Sequence, residues 1–227
     1  MSPEAVRNFR RRLLAWARSH GRTYRWRRPR ASNYERVVSE VLLQRTRADT
    51  VSKVLPSFIA RFQSWASLSR AKTSELREFL RPIGLWRRRA RTLQLLSTEI
   101  ASRRGRFPVD RSQLESIPGV GQYVANAVLM FCHGQPQPLL DSSMARVLER
   151  NFGDRKLADI RYDTYLQEIS KRIIDCERAD QINWAILDLG ALVCTNRDPS
   201  CSECPLRKRC LYPVKLSRRQ WRPGGRA

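Results

Sequence analysis

A proline and two glycines within four residues interrupt a helical pattern near the middle of the chain. Residues 117–121 read IPGVG and separate an apolar position at Leu114 from the apolar run 124–131. Proline cannot continue a helix, and glycine readily adopts backbone angles that other residues avoid. The pattern therefore predicts two helices joined by a tight turn, and the second helix starts with amide groups that have no acceptor inside it. Such a helix start attracts anions, although an isolated turn of this kind more often binds nothing.

Asp141 follows this turn by twenty residues and stands directly before another helical stretch, residues 142–148. Aspartate is a favoured helix cap at such a position, worth about 1 kcal/mol. A carboxylate at this distance from an anion-binding helix start also suggests a catalytic group beside a DNA phosphate. Position alone favours the cap, so the choice depends on the rest of the chain.

The charge of the chain points to a polyanionic partner. Its 227 residues include 44 lysines and arginines against 21 aspartates and glutamates, a formal net charge of +23, and only six of the 44 are lysine. Nucleic acid is the commonest polyanion, and the arginine fork suits bidentate contacts with phosphate. This length allows one large domain or two small lobes.

The sequence contains neither a membrane span nor a secretion signal. No stretch reaches 18 uninterrupted apolar residues, and the N-terminus lacks the apolar core of a secretory signal. We therefore expect a protein that does not bind membranes and that resides in the cytoplasm, associated with the nucleoid of a prokaryotic-like cell.

Apolar residues recur at helical spacing along most of the chain, whereas strand-like alternation is nowhere sustained. The sequence thus predicts an all-α fold of about ten short helices without internal repeats. Besides the two helices at the central turn, we expect helices from residue 6 to about 21, over 34–45, 51–62, 68–80 and 89–101, after residue 141, and over 165–174 and 181–193.

Glu40 lies on a helix that begins after Ser32, and it is flanked by Val37 and Val41. A carboxylate held against apolar surface has a raised pKa and can serve as a proton donor near neutral pH. Position alone favours the alternative, in which Glu40 faces solvent at the edge of the apolar stripe.

The basic loop 22–30 carries Trp26 among its arginines. Aromatic rings interleaved with arginine can stack on nucleic-acid bases. A tryptophan anchored in the core is the simpler alternative for this position.

Four of the six cysteines lie close together near the C-terminus, with the spacing C-x6-C-x2-C-x5-C. Zinc ribbons usually contain two C-x2–4-C pairs, and only one such pair occurs here. Two disulfides would need an oxidising compartment, for which there is no sign. The spacing favours a cubane iron–sulfur cluster over zinc, with the ligands Cys194, Cys201, Cys204 and Cys210. Cys132 and Cys176 are expected to be buried structural thiols.

Residues 117–121, the run 134–141 and the four-cysteine spacing together resemble the helix-hairpin-helix, Gly/Pro-Asp DNA glycosylases that carry a [4Fe–4S] cluster. The resemblance extends from about Trp16 to Cys210, and it is closest to Mig-type thymine–guanine mismatch glycosylases and MutY-type adenine glycosylases. It implies a two-lobed all-α fold with the active site in the cleft between the lobes. Residues 31–137 would form a six-helix module containing the hairpin, residues 1–30 and 138–212 the cluster-bearing lobe, and residues 213–227 a basic flexible tail.

The resemblance also implies roles for individual residues. Asp141 falls on the catalytic aspartate, and the match of residues 39–46 to a family motif makes Glu40 an active-site acid. Related bifunctional enzymes carry a lysine where this chain has Tyr123, and no Schiff base can form without an amine. The resemblance thus implies a monofunctional glycosylase that leaves an abasic site.

Further positions would contact DNA, the extruded base or the cluster. Gly119, Val120 and Gly121 would bind a phosphate, and Asp188 and Ser143 would lie at the base pocket. Gln44 and Arg45 from one lobe, with Leu85 and Trp86 from the other, would fill the gap left by the base. Basic residues 207–209 of the cluster loop would press on phosphates.

The identity of the excised base is less constrained. The chain reads Ser142-Ser143 where both subgroups carry Gly or Ala followed by Asn, and we expect it to lack the C-terminal domain with which MutY-type proteins read 8-oxoguanine. We therefore expect a monomer that acts on mismatched double-stranded DNA and removes thymine or uracil opposite guanine. Alternatives are excision of adenine opposite guanine or 8-oxoguanine, excision of another modified base such as hypoxanthine, a non-catalytic iron–sulfur DNA-binding protein, and a helix-turn-helix regulator.

Overall fold

The computed structural model describes residues 2–212, and no strand occurs in that range. The predicted basic tail, residues 213–227, lies outside the described residues. The α-helices are α1 (Pro3–His20), α2 (Asn33–Leu43), α3 (Ala48–Arg61), α4 (Trp65–Ser69), α5 (Thr73–Leu80), α6 (Trp86–Ser102), α7 (Arg111–Glu115), α8 (Gln122–His133), α9 (Ser142–Phe152), α10 (Thr164–Ile174) and α11 (Ala179–Leu192). The predicted all-α fold is confirmed. None of the helices among residues 2–212 has both the length and the apolarity needed to cross a membrane.

The chain divides into two compact units, one formed by Met1–Arg22 with Pro136–Ala227 and the other by Thr23–Gln135. The first boundary thus lies eight residues before the predicted one. Tyr24 and Trp26 explain the difference, because their rings stack with centroids 4.5 Å apart and both side chains belong to the core of the second unit. The basic loop is therefore anchored to that unit by its aromatic residues.

The unit that contains both ends of the described chain is built from four helices. Helix α1 packs on α10 and α11, and α9 packs on the same two helices. The α9–α11 contact is close because residue 190 is glycine: a Cβ added there would lie 3.1 Å from the Cβ of Ser143. Arg10 of α1 reinforces the assembly, since its Nε donates to the carbonyl of Ile173 at 2.8 Å, near the end of α10.

The unit formed by residues 23–135 surrounds the buried pair α2 and α8, which pack on each other. Val37 of α2 and Val124 and Val128 of α8 are fully buried there. Helix α6 packs on α4, α5 and α2. The core is continuous, so the turn before α8 is held from one side by tightly packed apolar residues.

One expected helix is divided in two. Residues 68–80 were predicted as one helix, whereas α4 ends at Ser69 and α5 begins at Thr73. The side chain of Gln94 accounts for the break: it donates to the carbonyl of Ala71 at 3.2 Å and accepts from the hydroxyl of Thr73 at 2.7 Å. These bonds give the chain at the break partners that a continuous helix would otherwise supply.

The central turn has the predicted form, with α7 ending at Glu115 and α8 beginning at Gln122. Gly119 adopts φ +86°, in the left-handed region, and a Cβ at this position would lie 2.3 Å from Cγ2 of Thr92. Only glycine fits both the backbone angle and the close approach of α6. Gly121 is different, because its φ is −94° and a Cβ there would meet nothing within 4 Å.

We predict that Gly119→Ala lowers the free energy of unfolding by roughly 2–4 kcal/mol, because the left-handed backbone and the overlap with Thr92 both disfavour a Cβ. The matched control Gly121→Ala should cost less than about 1 kcal/mol. Urea unfolding of the two variants measures both values. Equal effects would mean that the turn does not constrain Gly119 in solution.

Candidate functional site

Glu40 is buried in α2, with a relative exposure of 2%. Its Oε2 accepts a hydrogen bond of 2.8 Å from the hydroxyl of Tyr123. The alternative in which Glu40 faces solvent is therefore wrong. A buried carboxylate that is held by a phenol is a fixed group with restricted access to water, as expected for a residue with a chemical role.

Tyr123 owes its position to the turn that precedes it. It is the second residue of α8, two residues after Gly121, and it is half-buried. Because α8 packs on α2, the phenol reaches the carboxylate of Glu40. The turn, the tyrosine and the acid thus form one local arrangement within the unit of residues 23–135.

Asp141 caps helix α9 of the other unit. Its Oδ1 accepts hydrogen bonds from the amides of Ser143 at 2.8 Å and of Met144 at 2.7 Å. Within the described part of the chain, its second oxygen, Oδ2, has no hydrogen-bond partner. The side chain therefore serves as a cap with one oxygen and leaves the other available to a ligand.

The surroundings of Asp141 act on its charge in opposite directions. Burial raises the pKa of the carboxyl above its ordinary value, while the amides of Met144 and Ser143 and the positive charge of Arg146 act to lower it. Burial has the larger effect. Folding thus places a carboxylate in a position where its charge is under-solvated, and a positive charge developing nearby would be attracted to it.

Arg146 lies on α9, one turn after Asp141, and crosses to the end of α11. Its Nε donates to the carbonyl of Cys194 at 2.8 Å, and its Nη2 donates to the carbonyl of Gly190 at 2.7 Å. Nothing in the sequence predicts this role for Arg146. In the sequence it is only an arginine beside the apolar residues Ala145 and Val147, and this pattern is too common to predict a cross-link between two helices.

The turn of residues 117–121 only partly matches the predicted phosphate site. Val120 is 4% exposed and its amide donates to the carbonyl of Ile117 at 3.0 Å, so neither its side chain nor its amide is available and the assignment of Val120 is wrong. Gly121 is exposed and caps α8 without a side chain. The start of α8, with Gly119 and Gly121 before it, remains the candidate anion site.

The candidate wedge residues lie on two loops of the same unit. Gln44 and Arg45 follow α2 and are exposed, and Leu85 precedes α6 with 52% of its surface exposed. Trp86 is half-buried, with the guanidinium of Arg87 4.5 Å from its ring centroid. The expectation that the two loops come from different lobes is wrong, because both fall within Thr23–Gln135.

Two further predictions fail on burial. Trp26 is 1% exposed and stacks on Tyr24, so its ring is not available to a base and the alternative of a core tryptophan holds. Asp188 is also 1% exposed, and its two oxygens accept from the backbone amide and the Nε of Arg22, both at 2.8 Å. This carboxylate therefore neutralises a nearby arginine instead of facing a base pocket.

Ser143 is half-buried and lies against Gly190 of α11. Its amide is one of the two donors that hold Asp141. The residue thus contributes to the position of the carboxylate through its backbone, which any residue type can supply.

All six cysteines lie within residues 2–212 and are free thiols. Cys194, Cys201, Cys204 and Cys210 line one pocket together with Leu189, Val193 and Arg150. Among residues 2–212 no group of three or more His, Cys, Asp or Glu side chains converges on a single metal ion. The four thiols are nevertheless brought together at one place in the fold.

Arg150 contacts two of these cysteines. Its Nη1 donates to Sγ of Cys194 at 3.3 Å, and its carbonyl accepts from Sγ of Cys210 at 3.2 Å. Burial raises the pKa of the Cys204 thiol to about 11, and the neighbouring cysteines add to this effect. A cationic group is needed to stabilise several thiolates in one place, and Arg150 supplies one. Cys132 and Cys176, expected to be buried, are half-buried and lie outside this group.

We predict that Asp141→Asn is at least as stable as the wild type at pH 7, because the amide keeps an oxygen for the cap and removes the buried charge. Asp141→Ala should lose about 1 kcal/mol of cap energy. Because the folded pKa is raised, the native state binds the proton more tightly than the unfolded chain, and wild-type stability falls as pH rises from the ordinary value of 3.8 through the raised one.

Urea unfolding of the three proteins between pH 3.5 and pH 7 measures this effect, with those pH limits set at about the range over which a raised aspartate titrates. The Asp141→Asn variant should lack this contribution to the pH dependence. An asparagine variant that is as unstable as the alanine variant would contradict the assignment of a net cost to the charge.

The family described as HhH-GPD superfamily base excision DNA repair protein matches residues 38–181. The chain is 36% identical over 212 residues to the thymine-DNA glycosylase of Aeropyrum pernix, covering 91% of this chain and 95% of that protein. It is 35% identical over 216 residues to the thymine/uracil-DNA glycosylase of Pyrobaculum aerophilum, covering 92% and 94%. Relatives named adenine DNA glycosylase match at 26–33% identity, and this chain covers 37–64% of their length.

The fold is likewise similar to a solved structure described as a thermostable thymine-DNA glycosylase, with a TM-score of 0.84 and 27% identity over 93% of this chain and 98% of that one. The family match covers more than half of the sequence, and its residues include the turn, Glu40 and Asp141. On this evidence the chain belongs to the HhH-GPD superfamily of base excision DNA repair proteins.

Proposed function

We propose that this protein is a monofunctional DNA glycosylase that hydrolyses the N-glycosidic bond of thymine or uracil opposite guanine. The observation that carries the proposal is the geometry of Asp141, whose Oδ1 is held by two amides while Oδ2 has no partner within residues 2–212. A helix cap needs only the first oxygen. The relatives named for thymine and uracil support the choice of base.

Asp141 acts in this proposal as an ionised carboxylate. Cleavage of an N-glycosidic bond, like glycoside hydrolysis, develops positive charge on the sugar, which a nearby carboxylate stabilises. The two amide bonds fix the orientation of Asp141, so little reorganisation is needed when the charge appears. The side chain is half-buried, and this partial burial strengthens the attraction because fewer water molecules screen the charge.

Glu40 acts as the proton donor to the departing base, directly or through a water molecule. Its burial and its 2.8 Å bond from Tyr123 hold the carboxyl in one orientation. General acids of this kind contribute roughly 100- to 10,000-fold to rate. Tyr123 orients the acid and supplies no amine, so the bond is broken by water and the product is an abasic site.

Binding to DNA rests on the start of α8 and on the overall positive charge. Phosphate is held by the helix start that follows Gly119 and Gly121, and the surrounding arginines add sequence-independent affinity. The target base then leaves the stack, which costs a few kcal/mol and less at a mismatch. The exposed side chains Gln44, Arg45 and Leu85 are suited to fill the vacated space, with Trp86 beside them.

The four clustered cysteines fit a [4Fe–4S] cluster, because they line one pocket that also contains the cationic Arg150. Cys194, Cys201, Cys204 and Cys210 would hold this group, which would cross-link the C-terminal segment and would supply no redox chemistry to base removal. The loop between Cys204 and Cys210 carries three exposed basic residues that are available to phosphate, namely Arg207, Lys208 and Arg209.

Adenine excision is the second candidate, because relatives named adenine DNA glycosylase share the matched region. A panel of labelled duplexes with T·G, U·G, A·G, A·8-oxoguanine and hypoxanthine tests both, each sample being analysed before and after alkali. We expect rapid excision from T·G and U·G, with strand breaks only after alkali. Excision from the adenine duplexes alone would overturn the choice of base, breaks without alkali would overturn the monofunctional mechanism, and no excision from any duplex would indicate a non-catalytic DNA-binding protein.

We predict that Asp141→Asn reduces the single-turnover rate by at least about 100- to 1000-fold, because the negative charge is lost while the shape is kept. Affinity for the same duplex should change little. In the wild type the rate should fall as pH is lowered through the raised pKa of Asp141, since protonation removes the charge. A variant within about tenfold of the wild type, equivalent to about 1.4 kcal/mol, would reduce Asp141 to a helix cap.

We predict about four iron atoms per chain and absorbance near about 400 nm in anaerobically purified protein. Cys204→Ser should lose most of the iron, because it removes one of the four ligands. Cys176→Ser is the matched control and should keep it, since Cys176 lies outside the group. Metal analysis that finds one zinc and no iron would replace the cluster with a zinc site.

A further inference from the structure

Arg89 is a buried arginine that joins the two loops carrying the candidate wedge residues. It belongs to α6 and is 5% exposed. Its Nη2 donates to the carbonyl of Gln44 at 2.6 Å and to the hydroxyl of Thr46. Its Nη1 donates to the carbonyl of Ile83 at 3.0 Å, so one guanidinium bonds both the loop after α2 and the loop before α6.

Both loops contain residues in the left-handed region of the backbone. Arg45 has φ +58°, Leu85 has φ +50°, and Gly84 beside it has φ +71°. For residues with a Cβ this conformation is unfavourable and persists only where the surroundings enforce it. The bonds from Arg89 go to Gln44 and Thr46 on either side of Arg45, and to Ile83 two residues before Leu85.

The partners of Arg89 are all neutral. Within residues 2–212 its hydrogen bonds reach two carbonyls, a hydroxyl and no carboxylate. A buried cation without a counter-charge is costly, and a well-packed apolar residue would suit the interior of α6 better. Thr46 adds a direct bond between the loops, because its hydroxyl lies 3.4 Å from the carbonyl of Ile83.

We propose that Arg89 is a positioning residue for base extrusion: it holds the Gln44–Thr46 loop and the Ile83–Leu85 loop in one fixed arrangement, so that their exposed side chains enter the DNA as a unit. This inference rests on the proposed function, in which those side chains fill the space of the extruded base. Three donors in a planar fork can bridge the two loops, which a lysine ammonium cannot do in the same geometry. Arg89 itself is buried and touches no DNA.

Loss of Arg89 should weaken extrusion of the base more than it weakens affinity for DNA. Without Arg89 each loop can relax from its left-handed conformation independently, and the DNA must order both loops when it binds. That ordering opposes the step in which the base leaves the stack. Non-specific attraction to phosphate depends on the total positive charge of the protein. Replacing Arg89 lowers that charge by only one, so this attraction should change little.

The test uses a duplex that cannot be hydrolysed, with 2′-fluoro-2′-deoxyuridine opposite guanine and 2-aminopurine as the neighbouring base, whose fluorescence rises on extrusion. Arg89→Met should reduce the extrusion equilibrium by about tenfold or more, and Arg89→Lys should lie between it and the wild type. Arg91→Met is the matched control, because Arg91 is an exposed arginine of the same helix. Both methionine variants should bind an undamaged duplex with equal affinity.

Two outcomes overturn the proposal: extrusion by Arg89→Met equal to that by Arg91→Met, or a loss of undamaged-duplex binding that matches the loss of extrusion. If Arg89→Met does not fold, Thr46→Val decides, because it leaves the buried arginine in place while it removes both the hydroxyl acceptor of Nη2 and the direct bond to Ile83 that join the two loops. Reduced extrusion at an unchanged melting temperature in Thr46→Val supports the proposal, and unchanged extrusion overturns it.

The wild type separates this inference from the proposed function. If the wild type extrudes neither uracil nor thymine opposite guanine, the proposed choice of base fails, and the inference fails with it. If the wild type extrudes the base and every variant does so equally, the inference alone fails.

Discussion

The left-handed turn at Gly119 determines where α8 begins, and much of the arrangement around Glu40 depends on that start. Because Gly119 approaches Thr92 of α6 so closely, the turn has little freedom to shift along the chain. A helix that started one residue later would rotate its side chains by about 100°. Tyr123 would then point away from Glu40, and the 2.8 Å bond that holds the acid would be lost. The same turn supplies the exposed helix start, so one backbone constraint positions both the candidate anion site and Glu40.

The two carboxylates illustrate opposite solutions to the burial of a negative charge. Asp188 is compensated fully, because the amide and guanidinium of Arg22 bond both of its oxygens. Asp141 is compensated only on Oδ1, and burial still raises its pKa. A carboxylate whose two oxygens both have donors stabilises the fold, but its negative charge is then neutralised and attracts a developing cation only weakly. Incomplete compensation lowers stability and keeps the electrostatic potential that catalysis needs, which is why the less satisfied of the two is the better candidate.

Local signals predicted most of the fold and part of the site. Helical spacing, proline and glycine identified α8 and its turn, and the caps at Ser32 and Asp141 predicted the starts of α2 and α9. Long-range contacts decided what the sequence could not. The arginines around Trp26 make it a candidate for stacking on a base, with a core position as the simpler alternative, and the family resemblance alone makes Asp188 a candidate for the base pocket. In the structure Tyr24 stacks on Trp26 and Arg22 pairs with Asp188. The division of α4 from α5 likewise depends on a glutamine from a helix that comes later in the chain.

Part of the high arginine content serves the fold itself, which the net charge alone does not reveal. Arg10, Arg89, Arg146 and Arg150 each donate to two or more main-chain carbonyls or loop atoms from elsewhere in the chain. A guanidinium has five donors in a rigid plane, so one side chain can join segments that an ammonium would bond singly. These arginines therefore form cross-links at helix ends and loops while they also contribute to the net charge. Composition alone therefore overstates the DNA-binding surface.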